Sequence, residues 1–181
     1  MKVRLALLLF ASLLLIVSGM AYAQAQKPME AAPAKEAVLK AADITPKILP
    51  EKVFFRGQTA TTQLRNTGGV RYADGFLVLA TLVDSSGYST GLREKYQGYL
   101  INEVTLEVGG QTLKPGAYGF GFLEGNKFVV MDLGSNDLFQ VTSTNDKGIK
   151  HPVPLQVLTT AEVGKYRLYH GRDYVEFHRA K

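Results

Sequence analysis

Short runs of β-branched and aromatic residues alternate with glycine-containing turns through most of this chain, from Ile44 to Lys181. Runs of this length, separated by turns at such spacing, are typical of antiparallel sandwiches and barrels. The turns contain Asn, Asp, Ser and Gly, which favour the tight backbone that hairpins need. We therefore expect an all-β domain over residues 44–181, a single antiparallel β-sandwich or partly closed barrel of about eight to ten short strands.

The predicted strands lie between these turns and are rich in residues that favour a pleated, half-buried surface. They are Lys52–Arg56, Ala60–Arg65, Gly75–Asp84, Tyr99–Val108, Gly116–Leu123, Lys127–Leu133, Leu138–Thr144, Leu155–Leu158, Lys165–His170 and Tyr174–His178. Two segments are expected to interrupt them. Tyr88–Gln97 fits neither period and is predicted to be a helical turn or a long loop. Thr159 and Glu162 have capping-box spacing and precede Gly164, which predicts one turn of helix.

The N-terminus has the three parts of a secretory signal peptide. A basic start precedes an apolar run from Leu5 to Val17, and small residues ending in an A-x-A pattern follow up to Ala23. We expect cleavage after Ala23 or Ala25, and hence an exported protein that is periplasmic or extracellular. The alternative is an uncleaved membrane anchor, because residues 5–23 nearly reach the roughly 20 residues that a spanning helix needs.

Residues 24–43 form a second region, rich in Ala, Lys, Glu and Pro and without any aromatic residue. Such a segment has too little apolar surface to offset the entropy lost on ordering. We expect a flexible tether, with a short helix over residues 34–42 as an alternative for its last part. The tether is interpreted as a spacer from the membrane or cell wall, or as a disordered arm without a role.

Composition excludes several classes of function. The chain has no cysteine, so disulfides, thiolate metal sites and cysteine nucleophiles are excluded. Its net charge is +5, and loss of two of these charges, Lys2 and Arg4, with the signal peptide leaves +3. A surplus this small indicates no nucleic-acid partner. No Walker A loop or dinucleotide fingerprint occurs, so no cofactor is expected.

The strand Gly116–Leu123 has an unusual pattern of bulk. Side chains of a strand alternate between faces, so Tyr118 shares one face with two phenylalanines, while Gly119 and Gly121 leave the other face nearly bare. A bare face lets a ligand or another backbone come close. We take Tyr118, Gly119 and Gly121 as candidate ligand-binding residues, with tight strand packing as the alternative. Pro115 and Gly116, just before this face, have the order of a type II turn.

The same region carries a family resemblance. Asn102-Glu103-Val104-Thr105, followed by Val108-Gly109-Gly110-Gln111-Thr112-Leu113-Lys114-Pro115-Gly116-Ala117-Tyr118, resembles the "N-E-x-T … G-x-x-L-x-x-G-x-Y" run of the DUF2911 family of small exported bacterial β-domains. The resemblance covers residues 102–133. It implies secretion and a β-sandwich fold, and it brings no assigned catalytic residue.

Two clusters of tyrosine and arginine are candidate binding surfaces, because both residues combine a large contact area with a polar end. The first contains Arg93, Tyr96 and Tyr99, and the second contains Tyr169 and Arg172. The alternative is that these tyrosines are part of half-buried β surfaces, where tyrosine is common.

Catalytic and metal signatures are absent from the sequence. His151, His170 and His178 do not have the spacing of a metal site, and His170 is expected to make a structural contact with Asp173. No G-x-S-x-G elbow occurs, and the acidic residues within the predicted strands are expected to face solvent.

These observations favour an exported, non-enzymatic binding or interaction module of the bacterial cell envelope. The expected partner is a protein, a glycan or a small apolar ligand, and membrane contact is expected only through an uncleaved signal segment. The alternatives are a periplasmic or secreted hydrolase without a recognisable motif and a structural component of the envelope. The oligomeric state is left open.

Overall fold

Two antiparallel sheets face each other in the computed structural model, which describes residues 35–44 and 48–181. The all-β prediction is confirmed, and the arrangement is sandwich-like and not closed. The predicted signal peptide over residues 1–23 lies outside the described residues, as does the tether up to residue 34. The strands are β1 Ala37–Lys40, β2 Lys52–Phe55, β3 Gln58–Arg71, β4 Leu77–Asp84, β5 Gly98–Asn102, β6 Leu106–Val108, β7 Gln111–Leu113, β8 Gly116–Leu123, β9 Lys127–Met131, β10 Asp137–Thr142, β11 Thr144–Asn145, β12 Leu155–Thr159, β13 Lys165–His170 and β14 Asp173–Arg179.

The larger sheet has the strand order β1-β3-β4-β5-β8-β9-β10, and β2 pairs with β3 outside this path. The smaller sheet has the order β12-β13-β14-β6-β7, and β11 pairs with β14. A helix, α1, spans Thr90–Lys95 between β4 and β5. This agrees with the helical alternative for Tyr88–Gln97.

The main core lies between the two sheets and is built from the alternate side chains that each strand turns inward. Its largest members are aromatic: Phe120, Phe128, Phe177 and Tyr166 are all buried there. The other face of the larger sheet is also covered. Helix α1 and β2 bury a second apolar cluster against it, and β1 with residues near Leu49 buries a third.

Asn102 makes the corner at which the chain passes from the larger sheet to the smaller one. Its side-chain nitrogen donates hydrogen bonds to the carbonyl oxygens of Val104 at 2.9 Å and Lys114 at 2.7 Å. The prediction of one strand over Tyr99–Val108 is therefore wrong, because β5 and β6 belong to different sheets. Glu103 holds the same corner, since its carboxylate accepts a hydrogen bond from the backbone N–H of Leu77.

Three local predictions are corrected. The tether prediction, and its helical alternative, are wrong for residues 37–40, which form β1 in register with β3 and bury Leu39. Gly116 has no positive φ and begins β8, so the predicted type II turn does not form. The predicted helical turn after Thr159 is a β12–β13 turn in which the Thr160 hydroxyl accepts a hydrogen bond from the backbone N–H of Glu162.

Candidate functional site

An open groove lies at one end of the sandwich, and we call it the end groove. It has a volume of about 730 Å³. Three elements form it: the β3–β4 turn, the β12–β13 turn and the end of β14, with Glu36 completing the wall. The lining residues are Glu36, Tyr72, Ala73, Asp74, Glu162, Val163, Gly164, Lys165, His178, Arg179 and Lys181.

The β3–β4 turn is fixed by its own backbone and by one side chain. The N–H of Tyr72 donates to the carbonyl of Phe76 at 2.9 Å, and the N–H of Gly75 donates to the carbonyl of Tyr72 at 2.9 Å. Gly75 has a φ of 88°, a conformation that glycine adopts without strain. The carboxylate of Asp74 accepts a hydrogen bond from the N–H of Phe76. This turn therefore holds Tyr72 and Asp74 at fixed positions in the groove wall.

The β12–β13 turn forms the opposite wall and separates the end groove from a smaller groove of about 350 Å³. Gly164 has a φ of 79° and ends the turn. Val163 at its tip is completely exposed. An apolar side chain with no packing partner contributes nothing to the core, so Val163 is available for contact with another molecule.

Four of the charged side chains that line the end groove form two ion pairs. Arg179 forms an ion pair with Asp74, and its guanidinium lies 5.5 Å from the ring centroid of Tyr72 and 5.9 Å from that of Phe76. The hydrogen bond from Arg179 lowers the pKa of Asp74, so this carboxyl stays ionised. On the opposite wall, Lys165 contacts Glu162 at 2.6 Å.

Two tyrosines lie beneath these charges, with their rings 6.3 Å apart in an edge-to-face arrangement. Tyr166 donates a hydrogen bond to the carboxylate of Glu36. Tyr72 is only 5% exposed, and its hydroxyl has no hydrogen-bond partner among the described residues. Burial, reinforced by the charge of Glu36, raises the pKa of Tyr72 to about 12. Tyr72 therefore stays a neutral phenol at physiological pH.

The predicted glycine face is filled by the protein itself. A Cβ added to Gly121 would lie 1.9 Å from the backbone oxygen of Lys95 at the end of α1, and one added to Gly119 would lie 2.5 Å from the ring of Phe55. No ligand can reach either glycine in this conformation, whereas the alternative of tight packing fits both. On the other face, Tyr118 packs partly against the main core and donates its hydroxyl to the carbonyl of Lys114 at 3.0 Å.

The first predicted tyrosine–arginine cluster separates into core and surface. Tyr96 is fully buried and stacks on Phe55 with the ring centroids 3.8 Å apart. Tyr99 is buried in the same cluster under α1. Arg93 is exposed on the helix. The two tyrosines are therefore core residues, as the half-buried alternative describes, and they form no surface with Arg93.

The second predicted cluster lies on the outer face of the smaller sheet. Tyr169 is buried beneath the loop after β11 and donates its hydroxyl to the carboxylate of Asp146 at 2.8 Å. Arg172 is exposed and donates to the carbonyl of Ile149 at 3.2 Å. Both side chains hold this loop, and neither lines the end groove.

Sequence reasoning missed the residues of the end groove. Glu36, Tyr72, Asp74 and Arg179 come from distant parts of the chain and belong to no motif. The only local signal was the turn chemistry of Asp74-Gly75, which predicts a bend and indicates nothing about binding.

Between the two sheets, the described residues enclose a cavity that is too small for an organic ligand. The cavity between the sheets has a volume of about 20 Å³ and is lined by apolar residues such as Val78, Leu100 and Phe177. This is about the space of one water molecule.

His170 is half-buried and stacks on Phe122, with centroids 5.7 Å apart. Burial lowers its pKa, and Asp173 opposes this shift, in agreement with the predicted local contact.

Within residues 35–44 and 48–181, no helix has the length and apolarity to cross a membrane.

The chain matches no protein-family model, no curated protein and no solved structure. The resemblance of residues 102–133 to the DUF2911 family therefore stays a prediction.

Proposed function

We propose that this chain is an exported, non-enzymatic binding domain of the bacterial cell envelope, and that it binds a partner protein through the end groove. The observation that carries the proposal is the groove's set of opposite charges. Its wall presents three acidic and three basic side chains beside exposed apolar ones. The charged residues are Glu36, Asp74, Glu162, Lys165, Arg179 and Lys181.

A protein suits this groove better than the other two partner classes. A glycan site depends on bare aromatic faces, but Arg179 lies over the rings of Tyr72 and Phe76. A small apolar ligand needs an enclosed apolar cavity, and the cavity between the sheets is about 20 Å³. Charged side chains around exposed apolar ones, here Val163 and Phe76, resemble the polar rim of a protein interface and can select a partner of complementary charge.

The protonation states of two groove residues, Tyr72 and Asp74, favour binding over the hydrolase alternative. General acid–base catalysis is most efficient when the pKa of the catalytic group lies near the working pH. The pKa of Tyr72 is raised to about 12 and that of Asp74 is lowered by Arg179. Both groups therefore keep one charge state near neutral pH, which suits recognition and not proton transfer.

The proposal is tested with the purified protein and three probes: an array of synthetic peptides of varied Lys, Arg, Asp and Glu content, chitohexaose, and a fluorescent fatty acid. Amide chemical shifts report which residues each probe contacts. We expect mixed-charge peptides to shift the β3–β4 and β12–β13 turns, and added salt to weaken this binding.

The double variant Lys165→Gln/Arg179→Gln removes two cations of the groove and is expected to weaken the binding of peptides that contain Asp or Glu. Lys127→Gln, an exposed lysine at the start of β9, is the matched control and should bind as the wild type does. Groove shifts caused by chitohexaose or the fatty acid contradict the proposal, as does binding of the Asp- and Glu-containing peptides at wild-type strength by the double variant.

A further inference from the structure

One position in the end groove has hydrogen-bond capacity that the described residues leave unused. The hydroxyl of Tyr72 is buried and has no partner. Buried hydroxyl groups are nearly always hydrogen-bonded, because leaving one unpaired costs stability. In this conformation the Tyr72 hydroxyl is closed to solvent, so a bound molecule supplies its missing partner only once neighbouring side chains have moved.

The neighbouring carboxylate of Glu36 also lacks a partner among the described residues, in this case a cation. Glu36 is exposed and accepts a hydrogen bond from the neutral phenol of Tyr166. Within the described part of the chain, the carboxylates of Asp74 and Glu162 are paired with cations, whereas no cation pairs with Glu36. Glu36 lines both grooves, whereas Tyr72 lines the end groove and Tyr166 lines the smaller one. Burial and, after it, the charge of Glu36 raise the pKa of Tyr72.

Resting on the proposed function, we propose that the partner protein inserts a lysine side chain here, with its ammonium group hydrogen-bonded by Glu36, Tyr72 and Tyr166. We call these three residues the ammonium site. An ammonium group has three N–H donors and no acceptor, and the site offers three oxygen groups as acceptors. The charge of the ammonium also complements the carboxylate that has no cation.

The aromatic rings fit the same ligand. The rings of Tyr72 and Tyr166 meet edge to face at 6.3 Å, and a cation within about 6 Å of a ring centroid is attracted to the ring. Arg179 lies over the ring of Tyr72 but is paired with Asp74. That pairing reduces the repulsion between the guanidinium and an incoming ammonium.

The test measures binding of small amine probes to the purified protein by amide chemical shifts. The lysine probe is Nα-acetyl-lysine methylamide, and Nα-acetyl-norleucine methylamide is its uncharged match. Glycinamide supplies an α-ammonium, and cadaverine supplies a free diamine. We expect the lysine probe to shift the resonances of Tyr72 and its turn, while the norleucine probe leaves them unchanged.

Glu36→Gln and Tyr72→Phe are each expected to weaken binding of the lysine probe about tenfold or more, since each removes a hydrogen bond to a charged group. The matched controls are Glu124→Gln and Tyr174→Phe, which change the same chemistry outside the groove. They should bind as the wild type does.

Tyr72→Phe also separates a binding role from a structural one. The wild-type hydroxyl has no partner to lose, so the variant should unfold at the same urea concentration as the wild type or at a higher one. A marked loss of stability indicates that the hydroxyl is bonded within the protein, and it overturns the ammonium site.

The remaining outcomes are also decisive. Equal binding of the norleucine probe, or lysine binding that Glu36→Gln leaves intact, overturns the inference. If glycinamide or cadaverine binds and the lysine probe does not, the bound ammonium group does not come from a lysine side chain, and the inference is overturned. If lysine-free peptides still bind the end groove, the proposed function stands and the ammonium site falls. If no peptide binds, both fall.

Discussion

Gly121→Ala tests whether the bare face of β8 exists to receive helix α1. The added Cβ would lie 1.9 Å from the backbone oxygen of Lys95, whereas ordinary contact begins at 3.4 Å. The end of α1 must therefore retreat by about 1.5 Å, the difference between these two distances. The matched control is Gly91→Ala inside α1, where a Cβ meets nothing within 4 Å.

The expected loss in the free energy of unfolding follows from the hydrogen bonds that such a shift breaks. Gln97, just after α1, makes two hydrogen bonds with the backbone of Phe122, both at 2.9 Å. Losing them costs about 2 kcal/mol, and the overpacking itself adds about 1–3 kcal/mol. We expect the free energy of unfolding to fall by about 4 kcal/mol in Gly121→Ala. Gly91→Ala should raise it by about 0.5–1 kcal/mol, because alanine is the better helix former.

Urea unfolding followed by circular dichroism measures both variants. With a slope of about 2 kcal/mol per molar urea, the midpoint of Gly121→Ala should drop by about 2 M. Domains of this kind have a total stability of about 5–15 kcal/mol, so the variant still has a measurable transition. A Gly121→Ala midpoint within about 0.5 M of the wild type refutes the reasoning. It would mean that the glycine face is open space and that a ligand can approach it.

Three further predictions use the same unfolding measurement. Tyr96→Phe removes a buried hydroxyl that has no hydrogen-bond partner among the described residues, so stability should stay the same or rise by about 1 kcal/mol; a clear loss would reveal an unseen hydrogen bond. Asn102→Ala removes both hydrogen bonds of the inter-sheet corner and should cost about 2–3 kcal/mol, and a neutral result contradicts this role. Burial lowers the pKa of His170 in the folded state, so the unfolded chain binds the proton more tightly. His170 therefore lowers the free energy of unfolding only at acidic pH: the protein keeps its full stability above the ordinary histidine pKa of about 6.5 and loses stability as the pH falls below it. His170→Gln should flatten the loss of stability between about pH 7.5 and 5.5, and an unchanged slope contradicts the assignment.

Local patterns predicted the strands that lie in one sheet between clear turns. Lys165–His170 was predicted with the bounds that β13 has, because a turn with a glycine bounds each end. The strand Tyr99–Val108 was predicted wrongly, because the chain changes sheets at Asn102 through contacts with residues up to twelve positions away. Periodicity cannot reveal such contacts.

The site was harder to predict, for a related reason. Tyr96 and Tyr169 resemble binding residues by type, but the fold buries both. Tyr72 and Arg179 carry no motif, and they meet only because the β3–β4 turn and the end of β14 lie at the same end of the sandwich. Proximity of this kind is a property of the topology and cannot be read from the local sequence.

The binding groove lies at the end of the sandwich because many side chains on the faces of the two sheets are already packed or ion-paired within the protein. The central strands of the larger sheet are covered on both faces by apolar clusters, whereas its edge strand β10 is mostly exposed. The outer face of the smaller sheet is exposed, but its charges are already paired across strands, as Arg167 is with Glu176 at 2.9 Å. Separating such a pair costs a partner part of the energy that its own contacts supply. In the end groove, the part of the chain that the structure describes supplies no cation for Glu36 and no hydrogen-bond partner for the Tyr72 hydroxyl. A ligand that satisfies both groups breaks no existing ion pair.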